Sequence, residues 1–213
     1  MKKYFVKTPN IVKLFFNKWV WSISKKKGQT IYLTFDDGPT EGITNWVLNE
    51  LDKYNAKATF FCIGKNVKEH PNIFKNIIDK GHSIGNHTNN HLKSSSTPDV
   101  EFLKNVDLAE TQINQSKHQN SKLFRPPYGK LKLSVSKKLR KKGYKIIMWD
   151  VLSADFDTEI SNEKCLHNVI ENTTNGSIIV FHDSIKAANK VKFVLPQILE
   201  YYTAQGYKFN ALD

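Results

Sequence analysis

The feature that most constrains this chain is an alternation. Seven short β-like runs, 31–35, 58–63, 82–86, 123–125, 145–149, 178–181 and 207–209, are separated by longer stretches of helical character. The stretch "ITNWVLNELDKY" carries Ile43, Trp46, Val47, Leu48 and Leu51 near helical spacing, and "NVKEHPNIFKNIIDKG" ends in Gly81, a helix stop. "PDVEFLKNVDLAETQINQS" begins with Pro98, "LKLSVSKKLRKKG" ends in Gly143, and "KFVLPQILEYYTAQG" ends in Gly206. Strands that alternate with helices pair in parallel, because each return crossing needs a helix's length of chain. The expected fold is therefore α/β, a mainly parallel sheet of about seven strands that forms a closed or nearly closed barrel in a single domain, and 213 residues suffice for its core.

Parallel strands all end on the same side, so whatever follows each run gathers at one rim. The first run is followed by Asp36 and Asp37, the third by His87 and His91, and the fourth ends in Arg125 before Pro126, Pro127 and Tyr128. Asp150 and Asp155 follow the fifth run, and His182 and Asp183 the sixth. Acid/base and metal-ligand side chains thus fall at one end of five runs.

In "HTNNH" the two imidazoles are four residues apart, which on a helical turn would turn both toward one divalent ion, with a carboxylate from another strand end completing the set. The adjacent aspartates of "TFDDGP" can then divide their work, one holding the metal and the other taking a proton from water. A capping aspartate beside a solvated one would explain "DG" alone, but not the first aspartate after the apolar "YLTF". The chain has only two arginines, Arg125 and Arg140, against a background of lysine. An arginine at a strand end in "RPPYG" is read as a planar fork that holds a carboxylate through two parallel bonds. His182, directly after "IIVF", suits a proton donor whose pKa an aspartate raises. His82 reads as structural, and His70, His118 and His167 carry no signal.

The remaining composition excludes more than it assigns. Two cysteines are too few for a disulfide framework, and Cys62, within "TFFCIG", reads as a core thiol. A net charge of +12 favours anionic surfaces, but neither Lys25–Lys27 nor "KKLRKKG" is interleaved with aromatics, so no specific nucleic-acid partner is expected. Residues 1–29 form an amphipathic extension before a domain over 30–213. Within it "NIVKLFFNKWVW" is broken by Lys13, Asn17 and Lys18, unlike a secretory leader. Docking on the domain is expected ahead of peripheral contact with a membrane or other anionic surface, and the location is read as cytoplasmic or membrane-peripheral.

Taken together, these residues resemble the polysaccharide deacetylase family, the NodB-homology domain of carbohydrate esterase family 4. The likeness runs from about Thr30 to Phe209. "TFDDGP", "HTNNH", "RPPY" and "VFH" stand in the family's order, the last where the family has L-x-H. The resemblance implies a distorted (β/α) barrel of about seven parallel strands and a metal-dependent hydrolase that removes acetyl groups from N-acetylated sugars of chitooligosaccharide or peptidoglycan type. It implies Asp36 as general base, His182 as general acid, and Asp37, His87 and His91 as ligands of one divalent metal, most simply zinc, with cobalt or nickel as substitutes. It also implies that Arg125 orients Asp36, that the backbone N–H of Tyr128 helps hold the oxyanion, and that Asp155 tunes His182. Where the family has D-x-x-D-W this chain has "LSADF", so Leu152 replaces an aspartate and Phe156 a tryptophan. Phe156, Val180 and Pro127 are expected at the substrate pocket. A catalytically inactive sugar-binding module and a two-His, one-carboxylate non-haem iron enzyme are the competing classes, the latter disfavoured because it needs a jelly-roll pattern of strands.

Overall fold

The structure is a computed structural model that describes residues 4–23, 28–115 and 122–213. The Lys25–Lys27 cluster and His118 lie outside the described residues. Among the described residues, eight strands form one parallel sheet: β1 (Thr30–Asp36), β2 (Ala58–Cys62), β3 (Ser83–Asn86), β4 (Leu123–Phe124), β5 (Lys145–Ile146), β6 (Val151–Leu152), β7 (Ile178–His182) and β8 (Lys208–Phe209). Their order is β5-β4-β3-β2-β1-β7-β6, with β8 paired to the start of β1. Every ladder is parallel, as the alternation requires. All seven residues of β1 are buried, the mark of a central strand covered on both faces.

The helices are α1 (Asn10–Phe15), α2 (Thr44–Asp52), α3 (Gly64–Glu69), α4 (Pro71–Asp79), α5 (Asp99–Asn114), α6 (Leu133–Lys141), α7 (Asn162–Ile170) and α8 (Ala188–Ala204). One core lies between sheet and helices, where Phe35, Phe60 and Phe181 stack beside Leu48, Phe74 and Leu195. Cys62 and Cys165 are buried there as free thiols. A smaller cluster of Tyr32, Phe61, Leu123, Ile147, Ile178 and Leu212 fills the barrel interior.

Two elements depart from the sequence reading. The single helical stretch over 66–81 is broken at His70, because Pro71 starts a new helix at its first position. The run 145–149 stops at Ile146, and a separate two-residue strand, β6, follows it. These consecutive strands sit at opposite ends of the sheet order, joined only by residues 147–150.

The N-terminal segment packs along this seam. Val20 bridges Ile147, Lys7 bridges Val151, and Ser22 bridges Ser177. Trp19 and Trp21 are buried, and the Trp19 indole N–H donates to Ser136 Oγ at 2.8 Å. Lys7 and Lys13 both bond the Asp150 carboxylate. Docking is thus achieved by an inner apolar side, while Phe5, Ile11, Leu14 and Phe15 stay exposed. No helix among the described residues is long and apolar enough to cross a membrane.

Candidate active site

Register builds the first half of the site. In the β1–β7 ladder Asp36 is the direct partner of His182, and Thr34 of Val180. On a strand, residues two apart share a face, so Thr34, Asp36, Val180 and His182 all point to the barrel interior. Arg125, at the end of β4 and 0% exposed, reaches across this interior. One terminal nitrogen donates to Asp36 Oδ1 and to Thr34 Oγ1, both at 2.7 Å; the other donates to Met148 O at 2.8 Å, and Nε to Ile147 O at 3.3 Å. Its guanidinium carbon lies 4.1 Å from the Phe61 ring centroid. The expected two-bond fork on one carboxylate is therefore corrected. A buried guanidinium must satisfy all its donors, and the strand-end carbonyls take the bonds that Asp36 does not.

Burial alone would raise the pKa of Asp36, but Arg125, with help from the nearby imidazoles, outweighs it and holds the carboxylate below its ordinary value. His182 shows the reverse. Burial works against its charge, yet Asp155 lifts its pKa to about 9. Asp155 takes the His182 ring at Nδ1 with Oδ1 and the His182 backbone N–H with Oδ2, both at 2.7 Å. An ionised carboxylate thus stands beside a protonated imidazole across one ladder step. The pair can accept a proton at one position and release one, from Nε2, at the other.

Loops build the second half. "HTNNH" is not a helical turn as the spacing suggested: His87 follows β3 directly, and Thr88 and His91 have φ of 66° and 58°. The loop is held from both sides. Gly64 and Lys65, at the start of α3, donate to the carbonyls of Thr88 and Asn89, and Asn105 of α5 accepts from Asn89 N–H at 2.8 Å. Asp37 has φ 81° and its carbonyl accepts from Asn66. Of six non-glycine residues with positive φ among the described residues, Asp37, Thr88, His91, Tyr128 and Ala154 all lie on loops at this rim. Such conformations cost energy and persist only where surroundings enforce them.

One oxygen or nitrogen from each of Asp37, His87 and His91 fits within a 4.8 Å cluster. His87 Nδ1 bonds the Arg125 carbonyl at 2.8 Å, so Nδ1 carries the proton and Nε2 presents a lone pair. Burial and the neighbouring His87 lower the pKa of His91, keeping it neutral. Asp37 Oδ1 lies 3.3 Å from His91 Nε2 and 3.7 Å from His87 Nε2, yet it is buried and accepts no hydrogen bond. Three ligand atoms that converge on one space, one of them a buried oxygen that accepts no hydrogen bond, fit a divalent cation.

The other expected residues fall around these halves. The Tyr128 ring packs edge-on to His91 at 4.6 Å and is 60% exposed, while Pro127 before it is buried. Phe156 packs edge-on to the His182 ring at 5.3 Å. Val180 is buried one pleat below His182, beside Leu152 of β6. His82 is buried and its ring accepts from Ala58 N–H, which fits a structural role. Asp150 does not join the site: Ser177 and the N-terminal lysines hold its carboxylate. The sequence reading missed the role of Asp183. Its carboxylate accepts from Gly38 N–H at 3.0 Å and from Thr44 Oγ1 at 2.6 Å, pinning the turn after Asp37. A side chain at Gly38 would strike it, a Cβ there lying 2.0 Å from Oδ2. The only signal for this was its place beside His182.

A family model described as polysaccharide deacetylase matches residues 23–147. A peptidoglycan-N-acetylglucosamine deacetylase of Bacillus cereus is 34% identical over 190 residues, 89% of this chain and 88% of the relative. A peptidoglycan-N-acetylmuramic acid deacetylase of Bacillus subtilis is 30% identical over 196 residues, 90% of this chain and 73% of the relative. Among solved structures, a peptidoglycan N-acetylglucosamine deacetylase in complex with 4-naphthalen-1-yl-N-oxidanyl-benzamide matches with a TM-score of 0.82 at 30% identity, covering 96% of this chain and 95% of the other.

Proposed function

Because this chain belongs to the polysaccharide deacetylase family, we propose that it hydrolyses the acetamide of N-acetylated peptidoglycan sugars, N-acetylglucosamine first, with Asp36 as general base and His182 as general acid. The observation that carries this reading is the placing of Asp36, bonded by Arg125, directly opposite His182, bonded by Asp155, across the β1–β7 ladder. Asp37, His87 and His91 would hold a divalent metal, zinc or else cobalt or nickel, which when bound would supply Lewis-acid chemistry.

Asp36 takes a proton from water as the water oxygen bonds to the carbonyl carbon. Arg125 keeps the carboxylate oriented and charged while it waits. The backbone N–H of Tyr128 donates to the developing oxyanion. When the carbon–nitrogen bond breaks, His182 Nε2 gives its proton to the departing sugar nitrogen, and Asp155 stabilises the imidazolium until then. Acetate and a free amine leave. Phe156, Val180 and Pro127 bound the space for the acetyl methyl.

The test is acetate release from N-acetylglucosamine and N-acetylmuramic acid oligosaccharides of peptidoglycan, chitooligosaccharide and O-acetylated xylan, before and after chelation. Release from the peptidoglycan sugars, lost on chelation and restored by zinc or cobalt, is the expected result. No release from any of these, or full release after chelation, overturns the proposal.

A further inference from the structure

We propose that Tyr4, from the N-terminal segment, is a positioning residue of this site: it holds Phe156 and the loop over 154–160 against His182, and so sets how large an acyl group the pocket beside His182 accepts. The inference rests on the deacetylase reading above, but on residues outside the stretch that the family model matches.

The contacts form a relay. The Tyr4 ring packs edge-on to Phe156, with centroids 5.5 Å apart at 69°. Phe156 packs in the same manner on His182, at 5.3 Å and 77°. The Tyr4 hydroxyl donates to Asp157 Oδ2. Asp157 in turn ties the loop to itself, donating its N–H to Ala154 O and accepting Glu159 N–H at Oδ1, both at 3.0 Å. Burial and Asp157 both raise the Tyr4 pKa, so the hydroxyl remains a donor across the working pH range. Tyr4 is itself held in place. Val6 O accepts from Leu152 N–H at 2.8 Å, Thr8 N–H donates to Asp150 O at 2.9 Å, and Lys7 bonds the Asp150 carboxylate at 2.6 Å.

The loop needs such a hold. Ala154 has φ 62°, a left-handed conformation that a side chain disfavours, and Asp155 and Phe156 follow it directly. Phe156 stands where the family resemblance expects tryptophan. A six-membered ring covers less surface than an indole, and Tyr4 supplies a second ring behind it. Pocket width beside His182 is therefore set by a pair of residues 152 positions apart in the chain.

The experiment compares Tyr4→Ala, Tyr4→Phe and Tyr4→Ala/Phe156→Trp with the full parent chain. It measures kcat and KM on N-acetylglucosamine and N-propionylglucosamine oligosaccharides, together with hydrogen–deuterium exchange of the amides over 154–160. Aromatic pairs of this kind carry roughly a 2–10-fold effect each. Tyr4→Ala is expected to change the ratio of kcat/KM between the two acyl groups by about tenfold, in favour of propionyl and mainly through KM, and to speed exchange over 154–160. Tyr4→Phe keeps the ring and should change the ratio by about threefold or less. Phe156→Trp in the alanine background should restore at least part of the parent ratio. Parent-like exchange and ratio in Tyr4→Ala, or equal losses on both acyl substrates with no rescue by tryptophan, overturns the inference. A parent chain that releases no acetate fails before any substitution, which marks the failure of the deacetylase reading itself; exchange over 154–160 still tells whether Tyr4 holds the loop.

Discussion

The two halves of the site are built by different means. Asp36 and His182 are strand residues, fixed by ladder register and facing the interior because a pleat alternates. Asp37, His87 and His91 stand on loops, two of them at positive φ, and depend on α3, Asn66, Asn105 and Asp183 for their shape. Arg125 joins the halves: its side chain grips Asp36 and its carbonyl sets the tautomer of His87. A proton-transfer pair needs fixed separation, which paired strands supply without special residues. A cation site needs three donors from unrelated directions, which only bent backbone delivers, and the bending has to be stabilised from outside.

That contrast fails if the two aspartates behave alike. Asp36→Asn should retain metal and lose activity by about 10²–10⁴-fold, since an amide cannot take the proton. Asp37→Ala should lose metal affinity and recover activity partly as metal is raised. Bound metal and acetate release across a metal titration decide it; rescue of Asp36→Asn by metal would reverse the assignment.

Arg125→Met tests whether one residue couples the halves. Asp36 would keep a buried charge without its partner, and breaking such a pair costs about 3–5 kcal/mol. Denaturant unfolding should show that loss, and metal binding should weaken too because the carbonyl that orients His87 moves. An unchanged midpoint would mean that water replaces the guanidinium.

Asp155→Asn isolates the proton half. With the partner charge gone, burial opposes the imidazolium and only the weaker pull of Asp37 and Asp36 remains to support it, so the pKa should fall from about 9. Activity needs His182 protonated, so the alkaline limb of kcat/KM should move to lower pH. The sign for stability is the same: a raised histidine pKa stabilises fully below pH 6.5, and that contribution is lost as pH climbs through about 9. A limb that stays in place would assign the titration to another group.

The smallest effect is expected at Asp183. Burial lifts its pKa to about 7, so an amide resembles the protonated acid, and Asp183→Asn should cost only about 1 kcal/mol, roughly 2–4 °C in Tm. Metal affinity should weaken several-fold as the turn after Asp37 loosens. Complete loss of activity with metal still bound would move Asp183 into the proton-transfer machinery.

Much of this was legible along the chain. The strand–helix alternation implies parallel pairing, parallel pairing gathers the strand ends, and "TFDDGP", "HTNNH" and "RPPY" each keep their chemistry within a few residues. What stayed hidden has physical causes. β6 has two residues, too few to show a period, and the break at His70 needed Pro71 to outweigh a continuous apolar pattern. The hand-off of Asp150 to Lys7 and Lys13, the distribution of Arg125's bonds over strand-end carbonyls, and the contact of Tyr4 with Phe156 all join positions far apart in the chain. Local sequence determined which side chains exist and at which strand end each would stand, because propensity and side-chain direction are short-range properties. Only the tertiary structure decided which carboxylate meets which cation and what closes the seam between β5 and β6, because burial, charge pairing and ring packing act between segments that meet only once the sheet has curled.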